Sequence, residues 1–218
     1  MKAMTRIVAA ATLVAGAMFT TNASAEVSYN IGYMSEYVFR GYVQKSSSAS
    51  AGADYEEGGF YAGTWAADVG DGLEIDGYFG YGIETESGIS ASIGFTGYYY
   101  TGDTFDDTYE EINLGLGYGV FGLEYSFGKH DNLRGFEEDY DYLAVTVALE
   151  NGFYGTYGTF GDELDGSHLA IGYGTTVADF DVGVEAIFAD DDICQATSGG
   201  GSCEEGEESL VFTLGKSF

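Results

Sequence analysis

The sequence predicts an all-β protein, a transmembrane antiparallel up-and-down β-barrel of about 12 strands that follows a cleaved signal peptide. Three observations predict this class. Apolar and polar residues alternate along most of the chain, which is the side-chain period of a strand. The connections between the alternating segments are short and long in turn, as in outer-membrane barrels. The chain also ends on a phenylalanine, Phe218, that closes an alternating segment.

The composition already narrows the class of protein. The 218 residues include 35 glycines, 19 tyrosines and 15 phenylalanines but no proline, a mixture that favours strands over helices. Seven basic residues against 36 acidic ones give a formal net charge of −29. We expect no nucleic-acid binding, because phosphate contacts need clustered Lys and Arg. With 45% hydrophobic residues, the chain can bury a sizeable apolar surface and is not expected to be disordered.

Residues 1–25 have the pattern of a secretory signal peptide. Lys2 and Arg6 precede an apolar run from Ile7 to Thr20, and Ala23-Ser24-Ala25 is a small-residue cleavage site. The apolar run is shorter than the roughly 20 residues that a membrane-spanning helix needs. We therefore expect residues 26–218 to be exported and to form a barrel in the bacterial outer membrane. The alternative is a soluble protein beyond the inner membrane.

Twelve alternating segments follow the cleavage site. The stronger ones are 27–39, 73–81, 89–99, 112–118, 121–127, 143–149, 169–173, 180–188 and 210–218, and weaker ones fit 49–55, 60–67 and 153–160. Their average spacing suits tilted transmembrane strands of about 9–11 residues. In the first segment, Tyr37 and Phe39 are predicted to share the apolar outer face with Val27. Glu36 and Arg40 are then predicted to share the opposite, polar face.

The connections sort by length in a way that a soluble β-sandwich has no reason to show. The short ones are Glu56–Gly59, Thr85–Gly88, Gly119–Val120, Glu150–Gly152 and Thr176–Asp179, and the long ones are Gly41–Ser48, Asp68–Gly72, Tyr100–Thr108, Lys129–Asp139, Gly161–Gly166 and Asp190–Glu208. An even strand count places both termini on the side of the short turns. Three Gly-Tyr-Gly triplets, centred on Tyr81, Tyr118 and Tyr173, each precede a short turn and predict an aromatic girdle there.

The C-terminal segment resembles the signal that outer-membrane assembly machinery recognises. Leu210, Phe212 and Leu214 alternate toward the terminal Phe218. Lys216 departs from the resemblance, since that position usually holds an apolar or aromatic residue. Its ammonium group is expected to extend to the membrane interface. The resemblance implies that the assembly machinery is a partner of the chain through Phe218, with outer-membrane lipid and lipopolysaccharide as its surroundings.

Two segments near the N-terminus resemble the start of the TorF family of porins. They are Tyr33–Gly41 and Gly59–Ala67, and Asp54-Tyr55 and Glu74-Ile75-Asp76 also resemble that family. The family's usual proline in the first loop is absent, and Ser47–Ala51 take its place. The resemblance is specific from Tyr29 to Tyr81 and generic afterwards. It implies an outer-membrane barrel with a pore, and it implies no known substrate.

The polar face of the segments predicts an acidic lumen. Its candidate lining residues are Glu36, Arg40, Asp54, Glu74, Asp76, Glu111, Glu124, Asp181 and Glu185. A pore lined by these groups is expected to pass small solutes, with a preference for cations or neutral solutes. The alternative is a non-conducting, plugged barrel in which the charges satisfy each other, because 12 strands lie between filled 8-stranded and open 16-stranded barrels.

The predicted loops are more acidic still. Asp190, Asp191 and Asp192 are possible Ca²⁺ ligands, and a non-conducting barrel whose loops bind divalent cations or a surface partner is the competing function. Solvated loops explain the same acids, since no calcium-loop spacing appears. Cys194 and Cys203 lie in the last loop and are predicted to form a disulfide in an exported protein.

No enzyme and no cofactor are predicted. The two histidines are His130, beside Asp131 in a loop, and His168, beside Ser167 at the start of a strand. Neither pair has the spacing signature of a nucleophile with its general base.

Overall fold

The computed structural model describes residues 25–102, 108–131, 137–162, 164–193 and 206–218. Residues 1–24 of the predicted signal peptide, Cys194, Cys203 and the predicted disulfide lie outside the described residues. The described chain is an all-β closed barrel, which confirms the predicted fold class and the count of twelve strands. The search for candidate membrane spans found no helix of sufficient length and hydropathy among the described residues.

Every strand pairs antiparallel with its neighbours in sequence. The strands are β1 (Glu26–Phe39), β2 (Tyr42–Glu57), β3 (Phe60–Gly70), β4 (Gly72–Glu84), β5 (Ile89–Tyr100), β6 (Tyr109–Tyr118), β7 (Phe121–Asp131), β8 (Glu137–Ala148), β9 (Phe153–Asp162), β10 (Ser167–Val177), β11 (Phe180–Ala189) and β12 (Glu208–Ser217). Pairing of β1 with β12, from Asn30↔Ser217 to Met34↔Thr213, closes the barrel. Closure leaves no sheet edge exposed to pair with another chain.

The barrel has two different ends. The start of β1, the end of β12 and five short connections lie at one end, which we call the terminus end. The opposite end, which we call the loop end, carries the other connections, of which those after β5, β7 and β11 are the longer ones. Ala178-Asp179 at the terminus end is a two-residue turn with φ of 51° and 66°, as expected for a hairpin turn of two left-handed residues.

The outer surface of the barrel is apolar. Ile31, Ile93, Leu116 and Leu210 are each more than half exposed, and they alternate with interior residues along their strands. A soluble barrel would place such residues inside, because exposing contiguous apolar surface to water is unfavourable. The described barrel is therefore inside-out relative to a soluble one.

Aromatic residues ring the terminus end on the outer surface. Tyr81 and Tyr118 are exposed, and the ring of Tyr173 lies 4.8 Å from that of Phe153. The ammonium group of Lys216 lies 5.0 Å from the ring of Phe180 and 5.6 Å from that of Phe218, so it has cation–π contacts at this edge. Tyrosine, phenylalanine and lysine in one band are typical of a membrane interface.

Two of the predicted long loops are wrong. The segment predicted as the loop Gly41–Ser48 belongs to β2, and the β1–β2 turn consists of Arg40 and Gly41 alone, with φ of 48° and 93°. The predicted loop Asp68–Gly72 is a tight turn at Asp71, because Gly70 and Gly72 pair across it and adopt φ of 100° and 113°. Left-handed backbone at these glycines permits turns that other residues strain to make.

The end of the first hairpin leaves the barrel wall. The β1–β12 ladder stops at Met34, and the β2–β3 ladder stops at Ser50. Between these positions, residues 35–49 have ladder partners only on each other's strand, with an irregularity at Tyr37/Val38. Ser47 has φ of 70°, and the Ser35 hydroxyl accepts a hydrogen bond from the Phe212 amide at 2.8 Å. We call residues 35–49 the hairpin tip.

The hairpin tip folds into the barrel, which makes the predicted facing of Tyr37 and Phe39 wrong. Tyr37 is only 4% exposed, and its ring packs edge-on against Trp65 at 5.7 Å. The Phe39 ring packs against Tyr98 at 5.6 Å. The prediction assumed an unbroken period of two, whereas the bend and the irregularity reverse the facing.

Side chains on both sides of the hairpin tip fill the loop-end half of the interior. On one side Met34, Tyr37 and Val38 join a buried cluster whose other members are Trp65, Ala67, Val69, Ala170, Ile187 and Val211. On the other side the Tyr42 ring packs against Phe160 at 5.5 Å, within the cluster of Tyr140, Tyr142, Ala144 and Phe160. This half is therefore packed like a protein core.

The terminus-end half of the interior is lined differently. Many of its inward residues are small and half-buried, and they include Ser90, Ser92, Gly115, Gly117, Thr146 and Thr156. Three tyrosines, Tyr61, Tyr78 and Tyr154, also point inward here, over Gly80, Gly63 and Gly172. We call this half of the interior the vestibule.

Gly41→Ala tests the placement of the hairpin tip. A Cβ at Gly41 would approach Ile193 Cδ1 to 2.7 Å and His168 Cβ to 3.1 Å. The matched control is Gly58→Ala, which also has positive φ but open space around the Cβ. Both variants strain the backbone. We expect Gly41→Ala to lower the free energy of unfolding by about 1–3 kcal/mol more, because it overpacks the interior. Urea titration measures this difference, and equal losses would contradict the inward tip.

Candidate functional site in the barrel interior

The Arg40 guanidinium group lies inside the barrel, opposite the strand from which it comes. Its Nη1 donates to Glu111 Oε2 at 2.9 Å and its Nη2 to Glu111 Oε1 at 3.1 Å. Nη2 also donates to Glu124 Oε1 at 3.0 Å and to the Ser126 hydroxyl at 3.2 Å. The guanidinium carbon stacks on the Tyr142 ring at 4.2 Å from its centroid. The hairpin tip is thereby fixed to the far wall, on β6, β7 and β8.

The Glu111 carboxylate accepts hydrogen bonds from several interior side chains. Besides Arg40, its carboxylate accepts hydrogen bonds from the Tyr98 hydroxyl at 2.7 Å, the Asn113 amide at 2.8 Å and the Tyr140 hydroxyl at 2.9 Å. Donors from β5, β6, β8 and the β1–β2 turn therefore converge on one carboxylate. Two-point Arg–carboxylate pairs are among the strongest hydrogen-bonded contacts, and a buried charge needs such partners.

The tyrosines of this network were missed as site residues in the sequence. The alternation already placed Tyr99 and Leu143 outward, so Tyr98 and Tyr142 had to face inward. The apolar character of their rings hid their role as hydrogen-bond donors. No sequence signal shows that Arg40 reaches β6 and β7.

A second acidic pair lies on β4. Glu74 and Asp76 are each 2% exposed and share the inner face of the strand. The Tyr37 hydroxyl, on the hairpin tip, donates to Glu74 Oε1. Asp76 has no side-chain hydrogen bond in the described residues, and its Oδ1 is buried without a partner. Asp76 is thus an unpaired carboxyl group in the interior.

The other predicted lining residues lie at different depths. Glu185 is buried on β11 and hydrogen-bonds Tyr154. Asp54 lies in the vestibule, where the Asn30 amide donates to it at 3.2 Å and the Tyr78 hydroxyl also donates. Asp181 lies at the terminus-end mouth and accepts from the Thr176 hydroxyl at 2.7 Å. Glu36 is half-buried in the hairpin tip and does not belong to the wall.

The interior is acidic overall. Glu74, Asp76, Glu111, Glu124 and Glu185 are buried there, and Arg40 is the one Lys or Arg in the described residues whose charge is buried with them. Lys45 pairs with Asp68 at the loop-end rim, Lys129 is exposed, and Lys216 lies on the outer surface. An interior with this balance attracts positive charge.

The histidine candidates for catalysis are not paired with a nucleophile in the described residues. The Ser167 hydroxyl donates to Asp190 at 2.6 Å rather than to His168. The His168 ring is buried and parallel to Tyr142, with 6.1 Å between centroids. The His130 ring stacks on Tyr109 at 5.0 Å.

The acidic residues Asp190, Asp191 and Asp192 interact with neighbouring protein groups or with each other. Burial raises the pKa of Asp190, but hydrogen bonds from the hydroxyl and amide of Ser167 and from the Ile193 amide outweigh it and lower that pKa. Repulsion from Asp165 and Asp191 raises the pKa of Asp192. No group of three or more His, Cys, Asp or Glu in the described part of the chain is placed to hold a metal ion, so the Ca²⁺ possibility at Asp190–Asp192 gains no support.

The chain matches one family model over residues 19–218, almost its full length. The chain belongs to the Gcw_chp family of bacterial proteins of unknown function. The resemblance of this Gcw_chp protein to the TorF family stays a prediction. No curated protein matches its sequence.

Solved outer-membrane proteins are similar to the Gcw_chp protein at low identity. OpdK of Pseudomonas aeruginosa has 10% identity and a TM-score of 0.40, with 80% of this chain and 57% of that chain covered. OprD of the same organism has 11% identity and a TM-score of 0.44, with 79% and 59% covered. OccAB2 of Acinetobacter baumannii has 10% identity and a TM-score of 0.43, with 80% and 55% covered. The Gcw_chp protein thus spans less than two thirds of the length of each.

Arg40→Met tests how strongly the guanidinium group stabilises the Gcw_chp barrel. The change leaves Glu111 and Glu124 buried without their cation, so we expect it to lower the free energy of unfolding by about 3–5 kcal/mol. Lys45→Met is the matched control, because it breaks the partly exposed pair with Asp68 and is expected to cost at most about 1 kcal/mol. Denaturant titration of both variants measures the two losses. Equal losses of unfolding free energy would show that Arg40 does not form the main polar contact that holds the hairpin tip in place.

Proposed function

We propose that this protein is a porin-like channel of the bacterial outer membrane that passes small solutes, with a preference for cations or neutral solutes. Side chains of the hairpin tip and the wall fill the loop-end half of the barrel, so the proposed channel is closed there. The observation that carries the proposal is an acidic interior inside a closed barrel whose outer surface is apolar. The protein is proposed to be no enzyme and to need no cofactor.

The outer surface supports the membrane location. A closed barrel satisfies every backbone hydrogen-bonding group within its wall, which a hydrocarbon surrounding requires. The exposed apolar residues then face lipid, and the aromatic band at the terminus end meets the periplasmic interface. The predicted signal peptide and the terminal Phe218 agree with export and with insertion by the assembly machinery. Lipopolysaccharide would then surround the loop end.

The interior supports passage of positively charged or neutral solutes. Small residues, tyrosines and Asp54 line the vestibule, and the buried acids beyond it outnumber the single buried arginine of the described residues. Conduction through the whole barrel requires the hairpin tip to move, because the tip and its neighbouring side chains fill the loop-end half. The channel is therefore expected to open intermittently.

The filled loop-end half also favours a second candidate, a barrel that never conducts. In that case the Arg40 pair is purely structural, and the acidic loops carry the function by binding divalent cations or a surface partner. Conductance separates the two candidates.

Planar-bilayer recording of the refolded chain 26–218 is the decisive measurement. We expect brief discrete openings whose reversal potential in a salt gradient shows cation preference. Glu124→Gln weakens the attachment of Arg40 and is expected to lengthen the openings. Glu185→Gln is the matched control, since Glu185 is also buried but forms no ion pair with Arg40. A correctly folded barrel without any steps would favour the non-conducting candidate.

Leu114→Arg tests the membrane location separately. Leu114 faces outward midway along β6, whereas Tyr118 faces outward at the terminus end of the same strand. An arginine on the lipid face costs about 2–4 kcal/mol at the bilayer midplane and about 0–1 kcal/mol near the interface. We therefore expect Leu114→Arg to destabilise the barrel in lipid vesicles much more than Tyr118→Arg. Equal effects of the two changes would contradict a membrane-spanning wall.

A further inference from the structure

Asp76 is the one buried carboxyl group of the interior for which the described residues provide no partner. It is 2% exposed, no side chain donates to it, and its Oδ1 is fully enclosed. Glu111, at a similar depth, accepts from Arg40, Tyr98, Asn113 and Tyr140. Leaving a carboxylate without a donor or a cation in a protein interior is costly.

The groups around Asp76 do not supply positive charge. Its ladder partners are Trp65 on β3 and Tyr98 on β5, and the Tyr98 hydroxyl is engaged by Glu111. On its own strand, Glu74 lies two residues before it on the same inner face, which is a separation of about 7 Å between Cα atoms. Arg40 is held by Glu111 and Glu124 on the other wall. Two carboxyl groups therefore share this site without a base.

The site lies where the filled half of the interior meets the vestibule. Toward the loop end, Glu74 accepts from Tyr37 of the hairpin tip. Toward the terminus end, the next inward residues of β4 are Tyr78, which is half-buried, and then Gly80. Asp54 and Tyr78 therefore lie between the terminus end and Asp76.

We propose that Asp76 and Glu74 form a binding site for a small cation, either a metal ion or a primary ammonium group. The two carboxylates supply the charge, and the unpartnered Asp76 oxygen supplies the open ligand position. Hard cations prefer such oxygen ligands, and an ammonium group donates to them directly. The proposal deepens the proposed function, because it rests on a solute path and places a cation-selecting site on it.

Tb³⁺ luminescence sensitised by tryptophan tests the site, because Trp65 is the single tryptophan of the chain and faces Asp76 across the ladder. Tb³⁺ stands in for a hard cation. The folded chain 26–218 in detergent micelles is titrated with Tb³⁺ under selective tryptophan excitation. We expect a saturable signal in the wild type. We expect Asp76→Asn to weaken binding by about tenfold or more, since the ligand charge is lost.

Two further variants make the result specific. Glu74→Gln keeps an acceptor for Tyr37 and is expected to weaken Tb³⁺ binding as well. Asp68→Asn is the matched control, because Asp68 lies on the same strand as Trp65 but is paired with Lys45, and it is expected to leave the sensitised signal unchanged. Asp76→Asn removes an unpaired charge, so in the absence of cations it is expected to be at least as stable as the wild type.

Competition identifies the source of the positive charge. Displacement of Tb³⁺ by Na⁺ or Ca²⁺ supports a metal site, and displacement by methylammonium supports an ammonium site. An unchanged signal in Asp76→Asn, no sensitised signal in the wild type, or displacement by none of these cations overturns the proposal.

The binding measurement needs no conductance, so the two proposals fail separately. Tb³⁺ binding at Asp76 without bilayer steps would overturn the channel and keep the site. Steps with wild-type selectivity in Asp76→Asn, together with unchanged Tb³⁺ binding, would overturn the site and keep the channel.

Discussion

The ion pair of Arg40 with Glu111 and Glu124 is the interaction on which the closed interior depends. A hairpin tip inside a barrel brings polar backbone and side chains away from water, and burying a guanidinium group is tolerated only with excellent partners. Glu111 and Glu124 provide them at 2.9 and 3.0 Å, from strands opposite β1. Because Arg40 sits in the turn itself, one contact fixes the position of the whole tip.

The outer and inner faces of the barrel wall suit two different environments. Outside, exposed residues such as Ile93 and Leu116 suit hydrocarbon, and inside, Ser92 and Gly115 at neighbouring ladder positions suit water. Along each of these strands, outward apolar residues therefore alternate with inward small or polar ones. The two faces of the wall differ in chemistry and not only in burial. The turn of the hairpin tip has neither environment, since protein contacts both of its faces. That explains why Tyr37 and Val38, two consecutive residues, are both buried there.

Alternation predicted the wall but not the hairpin tip. A wall strand has one lipid face, so an apolar residue at every second position, as in β5 or β12, is enough to locate it. The stretch from Gly41 to Ser48 lacks such a face and was predicted to be a loop. The sequence also gives no sign of the left-handed backbone at Arg40, because arginine is not a residue that favours this conformation. The contact of Arg40 with Glu111 spans half the barrel, which no local pattern encodes.

The interior has two acidic clusters, Glu111 with Glu124 and Glu74 with Asp76. They differ in whether a cation pairs with them, and the hairpin tip contacts both. Arg40 neutralises Glu111 and Glu124 from the tip, whereas the tip offers Glu74 only the hydroxyl of Tyr37 and offers Asp76 no hydrogen bond. One arginine therefore pairs with two carboxyl groups on one wall, and the described residues provide no cation for Glu74 and Asp76 on the opposite wall. An interior built only for stability would have matched both walls, because an unpaired buried carboxylate is costly to keep. The imbalance is better explained by an interior that receives its remaining positive charge from solution.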